Sequence, residues 1–350
     1  MSSLHKILFL GATGYIGGSV LQKLLDHPRS SVSHIFSLVR DPIKAEKLGR
    51  LYPSQLQVVV GDNADLGLLQ ALAEDADVVI SVADSNDVAA MSAMLAGVKL
   101  RFEKMGRQTA FIHTSGAGII ADCTVNGKHP NSPIYDDLDK AQMATIAPTQ
   151  LHRPVDLKLL EADDEGYIKS YIIVPTTVYG IPAGPLVDHG IQKRQTTVLP
   201  WLMKPSLARG QAGMVGEGQN IWHNVEVTEL ADLFIHLYDA IQYGTTQPAH
   251  GRDGLYFAEN GQNTLLEIST VIARVMHEKG KSASLEPSPF TVAEMEENLG
   301  LPLASLIGSN ARCRARRASA LGWRPKKGTA DLLASVEEVT RRLVEAPGSL

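Results

Sequence analysis

Cysteine is nearly missing from this chain of 350 residues: Cys123 and Cys313 are the only two. Two thiols leave room for at most one bond, so the fold is no small disulfide framework and rests on a buried apolar core. Long hydrophobic runs are also lacking; no segment reaches the length needed to cross a bilayer. Position 1 leads almost directly into a core strand, leaving no space for a signal peptide, so the expected location is the cytoplasm. Positive charge is in deficit, with 33 Lys and Arg against 38 Asp and Glu and a net charge of −5. That balance excludes a nucleic-acid surface, since the one short basic run, Arg312 to Arg317, is isolated. No His/Cys group has metal-ligand spacing, so no metal is expected. A G-x-S-x-G nucleophile elbow is absent too: Thr114-Ser115-Gly116 lacks its first glycine. No internal repeat is found.

What is present is concentrated at the N-terminus. The run Ile7–Leu10 reads as a buried parallel strand. It enters Gly11, Gly14 and Gly17, followed by an amphipathic segment with Ile16, Val20, Leu21 and Leu24 on one face. Strand, turn and helix in that order are the context a dinucleotide fingerprint requires. Gly11 permits the tight turn, Gly14 admits a pyrophosphate close to the backbone, and Gly17 lets the helix pack on the strand. The residues between them, Thr13, Tyr15 and Ile16, are expected on the same cofactor surface.

Further strand-like runs follow at Ile35–Val39, Val58–Val60, Val78–Val82, Ala110–His113 and Tyr171–Val174. Helical patterns, including Asp65–Glu74 and Asp87–Met105, lie between them. The alternation predicts an α/β fold: a doubly wound parallel sheet whose strand ends surround one nucleotide crevice. Arg40 follows the second strand, where an arginine favours a 2′-phosphate and an acidic residue favours a free ribose. With Lys44 and Lys47 close behind, NADP is preferred over NAD. Asp62 and Asn63 end the third strand, where they face adenine; the small Val82 and Ala83 end the fourth, beside the nicotinamide ribose.

Later motifs extend this pattern: Pro175-Thr-Thr-Val-Tyr-Gly180 after the sixth strand, Gly216-Glu-Gly-Gln-Asn-Ile-Trp222 before the helix Thr228–Tyr243, and Leu321-Gly-Trp-Arg-Pro325. On these residues the chain resembles an extended or atypical short-chain dehydrogenase/reductase of the NAD-dependent epimerase/dehydratase group. The resemblance implies a Rossmann domain at 1–180 with about 220–262, and a smaller substrate lobe at about 181–219 and 263–350. It also implies cofactor contact at Pro175, substrate contact at Tyr179 and Trp222, and a helix-mediated homodimer.

The catalytic residues that this resemblance implies are a Ser or Thr after the fifth strand and a Tyr-x-x-x-Lys pair. Neither is in register. Tyr135 and Lys140 are five apart, in an Asp- and Pro-rich stretch that reads as loop, and Gly116 takes the hydroxyl position, with Ser115 adjacent. Spacing assigns the equivalent helix to Leu151–Ala162, with Pro154 in its first turn. That alignment puts His152 at the tyrosine position and Asp156 at the lysine position, one helical turn apart. Beside a carboxylate, His152 is expected as an imidazolium proton donor; Ser115 with a water is the other candidate. His113 is expected to be satisfied by backbone, and Trp222 and His223 to line the cleft.

The helix capped by Thr228 is expected to pack back on the nucleotide lobe, and the smaller lobe to contain a helix, Leu265–Lys279, stopped by Gly280. A short helix with a Thr291/Glu294 capping box and a terminal helix bearing Leu332, Leu333, Val336 and Val339 complete it, with a frayed tail at 346–350. The leading functional expectation is an NADP-dependent oxidoreductase acting on a carbonyl or imine-like group of a small organic molecule. An isomerase or lyase without net redox turnover, and a nonenzymatic dinucleotide-binding redox sensor, are the alternatives.

Overall fold

The structure is a computed structural model that describes residues 5–28, 33–128, 131–196 and 198–345. The expected frayed tail at 346–350 lies outside the described residues. Seven parallel strands form the main sheet: β1 (His5–Leu10), β2 (Ser33–Val39), β3 (Leu56–Val60), β4 (Val78–Ser81), β5 (Thr109–Thr114), β6 (Ile168–Pro175) and β7 (Leu255–Ala258). Their order is β7-β6-β5-β4-β1-β2-β3, so the direction of winding reverses between β1 and β4. That switch point leaves a crevice outside the carboxyl ends of the strands. The strands carry continuous Val, Ile, Leu and Phe runs because helices cover both faces.

Four helices cross between the early strands: α1 (Tyr15–Leu25), α2 (Pro42–Leu51), α3 (Leu66–Glu74) and α4 (Val88–Met105). Asp41, Asp65 and Asp87 cap the last three, each accepting from backbone N–H groups of the first turn. The crossover into β6 is α5 (Arg153–Asp164), and the one into β7 is α6 (Val227–Tyr243), which packs on α1. Thr228 does not cap α6. Glu226 does, because its longer side chain reaches the N–H groups of Thr228 and Glu229 at 2.8 and 3.0 Å.

A second core is built from the helix Val198–Arg209, α7 (Leu265–Glu278) and α8 (Thr329–Glu345), around Leu202, Met203, Ile272, Met276, Val336 and Leu343. Thr264 and Glu267 close a capping box on α7, and Thr291 and Glu294 close another on Val292–Asn298. Residues 311–323 do not stay with this lobe. Ala311, Cys313, Ala318 and Trp323 pack into the first core, and Trp323 Nε1 donates to Glu229 O at 2.7 Å. Both cysteines are free thiols. Among the described residues no helix is long and apolar enough to cross a membrane.

The segment after β5 is tied down rather than left as a long loop. Tyr135–Asp136 pairs in parallel with Cys313–Arg314, and Asp137 accepts from the N–H groups of Phe257, Arg316 and Arg317. Lys140 is held by Asp253 at 2.6 Å, so neither Tyr135 nor Lys140 joins the crevice.

Gly17 sits where an added Cβ would lie 2.1 Å from Gly11 O, whereas one at Gly49 in α2 would meet nothing closer than 3.8 Å. Opposite effects follow from this difference. Gly17→Ala is expected to cost about 2–4 kcal/mol through a backbone clash that cannot relax. Gly49→Ala is expected to stabilise by roughly 0.5–1 kcal/mol through helix propensity. Urea unfolding of the two variants checks both signs.

Candidate functional site

The crevice begins at the glycine turn. Gly11 has φ +90°, and an added Cβ there would lie 2.3 Å from Val82 O. Only glycine permits the loop after β4 to close so near the end of β1. Gly14 N donates to Gly11 O at 2.9 Å and caps α1 with no side-chain acceptor. The first N–H groups of α1 therefore have no side chain to satisfy them, and they point outward beneath the positive end of the helix dipole. This cradle fits a pyrophosphate. Tyr15, Ile16 and Val82 line the same cleft; Thr13 contributes backbone, its carbonyl accepting from Lys193 N at 3.1 Å, and Ala83 packs against the first core.

At the far end of the cradle Arg40 stands just past β2, with its side chain 85% exposed and its nearest carboxylate, Asp62, 3.8 Å away. Asp41 is committed to capping α2 and so is not the ribose acceptor that an acidic residue would be at this junction. Asp62 also accepts from Ala64 N, and Asn63 lies partly buried beside it.

Between the glycine turn, the ends of β4, β5 and β6, and the second lobe lies a cavity of about 420 Å³. Gly116, His152, Pro175 and Trp222 are on its wall. Tyr179 is not: it is 2% exposed in the second core, its hydroxyl donating to Gly328 O at 2.9 Å. His223 also turns away, toward Glu259 at 3.8 Å and the N–H of Cys313.

The expected His152–Asp156 pair does not form. His152 is the residue before α5 and has φ +69°, a left-handed backbone that few non-glycine residues adopt. That conformation swings the imidazole off the helix face that carries Asp156. The ring instead meets the loop after β4, with Nδ1 2.9 Å from both Ser85 Oγ and Asn86 Oδ1. An amide oxygen is an acceptor, so Asn86 fixes the proton on Nδ1 and leaves the Nε2 lone pair free. Nε2 lies toward Gly116, 2.9 Å from where a Cβ there would be. A side chain at Gly116 would block the ring; the missing hydroxyl residue makes room for the histidine.

Burial holds the His152 pKa down to about 4, against a smaller upward pull from Asp84. His152 is therefore neutral near pH 7 and accepts a proton at Nε2, which corrects the expected imidazolium donor. Asp156 is fully buried and accepts from Ser115 Oγ at 3.0 Å, with Arg153 and His113 each 4.0 Å away. Burial raises its pKa to about 7, outweighing Ser115 and Arg153. Ser115 thus points into the wall, away from the cavity, and Asp156 offers no cation to a ribose. His113 was expected to be satisfied by backbone, but neither of its ring nitrogens has a protein partner, and burial drives its pKa to about 3.

Ser85 and Asn86 escaped the sequence reading, although the Asp84-Ser-Asn-Asp87 turn directly follows the fourth strand, where such contacts concentrate. Asn220, within the Gly216–Trp222 motif but not singled out there, and Asn263, which carried no local signal, are also on the cavity wall.

Fold and cleft define a Rossmann fold like that of the NAD-dependent epimerases and dehydratases, with a crevice at the switch point of its sheet. Residues 3–106 match the NmrA-like family model. "Oxidase ucsJ" of Acremonium sp is 28% identical over 339 residues, covering 91% of this chain and 92% of that protein. The uncharacterized protein YLL056C of Saccharomyces cerevisiae is 23% identical over 92% of this chain and 95% of its own length. Among solved structures, UDP-glucuronic acid 4-epimerase of Bacillus cereus, with UDP-glucuronic acid and NAD, superposes with a TM-score of 0.63 at 15% identity. It covers 97% of this chain and 99% of its own. The dTDP-glucose 4,6-dehydratase of Bacillus anthracis, in complex with NAD, gives 0.60 at 14% identity over 98% of both chains. At such identities the likeness concerns the fold.

The buried titratable groups set a pH dependence of stability. Asp156 has a raised folded pKa, so its contribution is complete below the unfolded value near 3.8 and is lost as pH rises toward about 7. Asp156→Asn is expected to remove this downward contribution, which the two histidines oppose below about pH 6.5, and so to steepen the rise in Tm between pH about 4 and about 6.5. His152 and His113 act oppositely: their folded pKa values are depressed, so stability is lost as pH falls below about 6.5, where only the unfolded chain gains those protons. Thermal unfolding of wild type and Asp156→Asn between pH about 4 and about 8 reads both limbs.

Proposed function

We propose that this chain is an NADP-dependent oxidoreductase acting on a carbonyl, imine or the corresponding alcohol or amine of a small organic molecule. The observation that carries this reading is the presentation of a neutral His152 Nε2 on the wall of the same cavity that opens at the glycine cradle. When bound, the nicotinamide supplies or accepts the hydride. The chain's part is to bind, orient and handle the proton. The glycine turn and the start of α1 hold the pyrophosphate, and Pro175 and Val82 border the nicotinamide end. Arg40, exposed and loosely paired, addresses a 2′-phosphate.

In the oxidising direction Nε2 accepts the proton of a substrate O–H or N–H; in the reducing direction the same proton returns from Nε2. Asn86 and Ser85 keep the ring in the tautomer this requires. The left-handed backbone at His152 costs of order 1 kcal/mol and persists because the two tethers and α5 over-determine it. The name of the oxidase relative fits the oxidising direction, for which a neutral histidine is the prepared form.

Equilibrium binding of NADPH and NADH tests the cofactor assignment. NADPH is expected to bind more tightly, and Arg40→Ala to weaken it by about tenfold or more while leaving NADH unchanged. Equal affinities, or no binding of either at about 1 mM, would sink it. With a substrate in hand, His152→Ala is expected to lower kcat/KM by roughly 10²–10⁴ without changing cofactor affinity. Unchanged turnover removes His152 from the chemistry, and turnover with no net change in cofactor absorbance selects the isomerase reading.

A further inference from the structure

The half of the cavity beyond His152 has a composition that restricts what enters it. Its lining includes Trp201, Trp222 and six aliphatic side chains, among them Leu202, Leu265, Leu306 and Ile307. Among the described residues, none of the side chains lining the cavity is Asp, Glu, Lys or Arg. The polar side chains of the lining are Tyr15, His152, three threonines and two amides, Asn220 and Asn263. Asn220 is 1% exposed and donates from Nδ2 to Ile307 O and Ser309 O at 2.9 and 2.8 Å, which leaves its Oδ1 with no protein partner. Asn263 accepts from Asn224 Nδ2 at 3.1 Å, so its orientation is set from behind.

We infer that the substrate is an uncharged, predominantly apolar molecule, and not a nucleotide sugar, phosphate or carboxylate. The inference deepens the proposed oxidoreductase reading and rests on its assignment of the cofactor to the glycine cradle. A diphosphate here would lose its hydration with no guanidinium or ammonium to replace it, and unpaired buried charge is strongly disfavoured. Two tryptophans and six aliphatic side chains instead favour flat or branched hydrocarbon surface. The neutral His152 is consistent with this wall, since it adds no charge at the reacting end.

The test is equilibrium binding to the NADPH-loaded protein of two probes, the neutral apolar dye Nile red and UDP-glucose. Nile red is expected to bind in the micromolar range with a blue-shifted emission, and UDP-glucose not to bind at about 1 mM. Leu306→Lys, which places a charge on a half-exposed stretch of the wall, is expected to weaken Nile red by about tenfold or more. Trp201→Ala, which removes surface without adding charge, is expected to weaken it less. NADPH binding, followed separately by its own fluorescence, is expected to be unchanged in both variants, which separates failure of the cofactor assignment from failure of this one. Binding of UDP-glucose, absence of Nile red binding, or Nile red affinity indifferent to both substitutions would overturn the inference.

Discussion

Three stretches of backbone meet at the mouth of the crevice closer than any side chain would allow: the turn at Gly11, the loop at Val82 and the first turn of α1 at Gly17. Their approach fixes the distance between the end of β1 and the end of β4, and so the width of the switch point in the sheet. The loop that carries Ser85 and Asn86 starts from the same Val82. The position of His152 is thus referred back, through its two tethers, to a contact between backbones. A methyl group at Gly11 or Gly17 would be felt at the imidazole, although neither glycine touches it.

Three titratable groups around this point are pushed toward their neutral forms, with the buried Arg153 guanidinium, 4.0 Å from Asp156, the charge that remains. Asp156 is pushed up to about 7, while His113 and His152 are held down to about 3 and about 4. In each case burial is the leading cause, and it favours the neutral form of acid and base alike. The wall beyond His152 continues that pattern with tryptophans, aliphatics and amides. A lysine at the position of Asp156 would break it. The buried carboxyl takes a hydrogen bond from Ser115 and lies behind the wall, so the site has given up a cation and a tyrosine for a tethered imidazole.

The first lobe was legible in the sequence because its signals are local. Continuous apolar runs mark strands buried on both faces, and the glycines stand where backbone conformation demands them. The placement of α5 by spacing also held, with Pro154 in its first turn. What failed was decided by tertiary geometry. The i, i+4 argument assumes helical dihedrals at both residues, and His152 lies one residue before them, in a left-handed conformation. Tyr179 reads as a strand-end substrate contact, yet its hydroxyl finds the carbonyl of Gly328, just before the last helix. Residues 311–323 return to the first core through Trp323 and a two-residue strand pairing, neither of which has a periodicity to read. Asn86, 66 residues from His152, was invisible for the same reason.

The state of His152 is the point on which the chemistry turns. Long-range ¹H–¹⁵N correlation of the histidine side chains, with His152→Gln to assign the signal, reads protonation and tautomer together across an acid titration. The structure predicts a neutral ring with its proton on Nδ1 down to about pH 4. A ring that protonates near the ordinary value of about 6.5, or one that carries its proton on Nε2 at neutral pH, would contradict it.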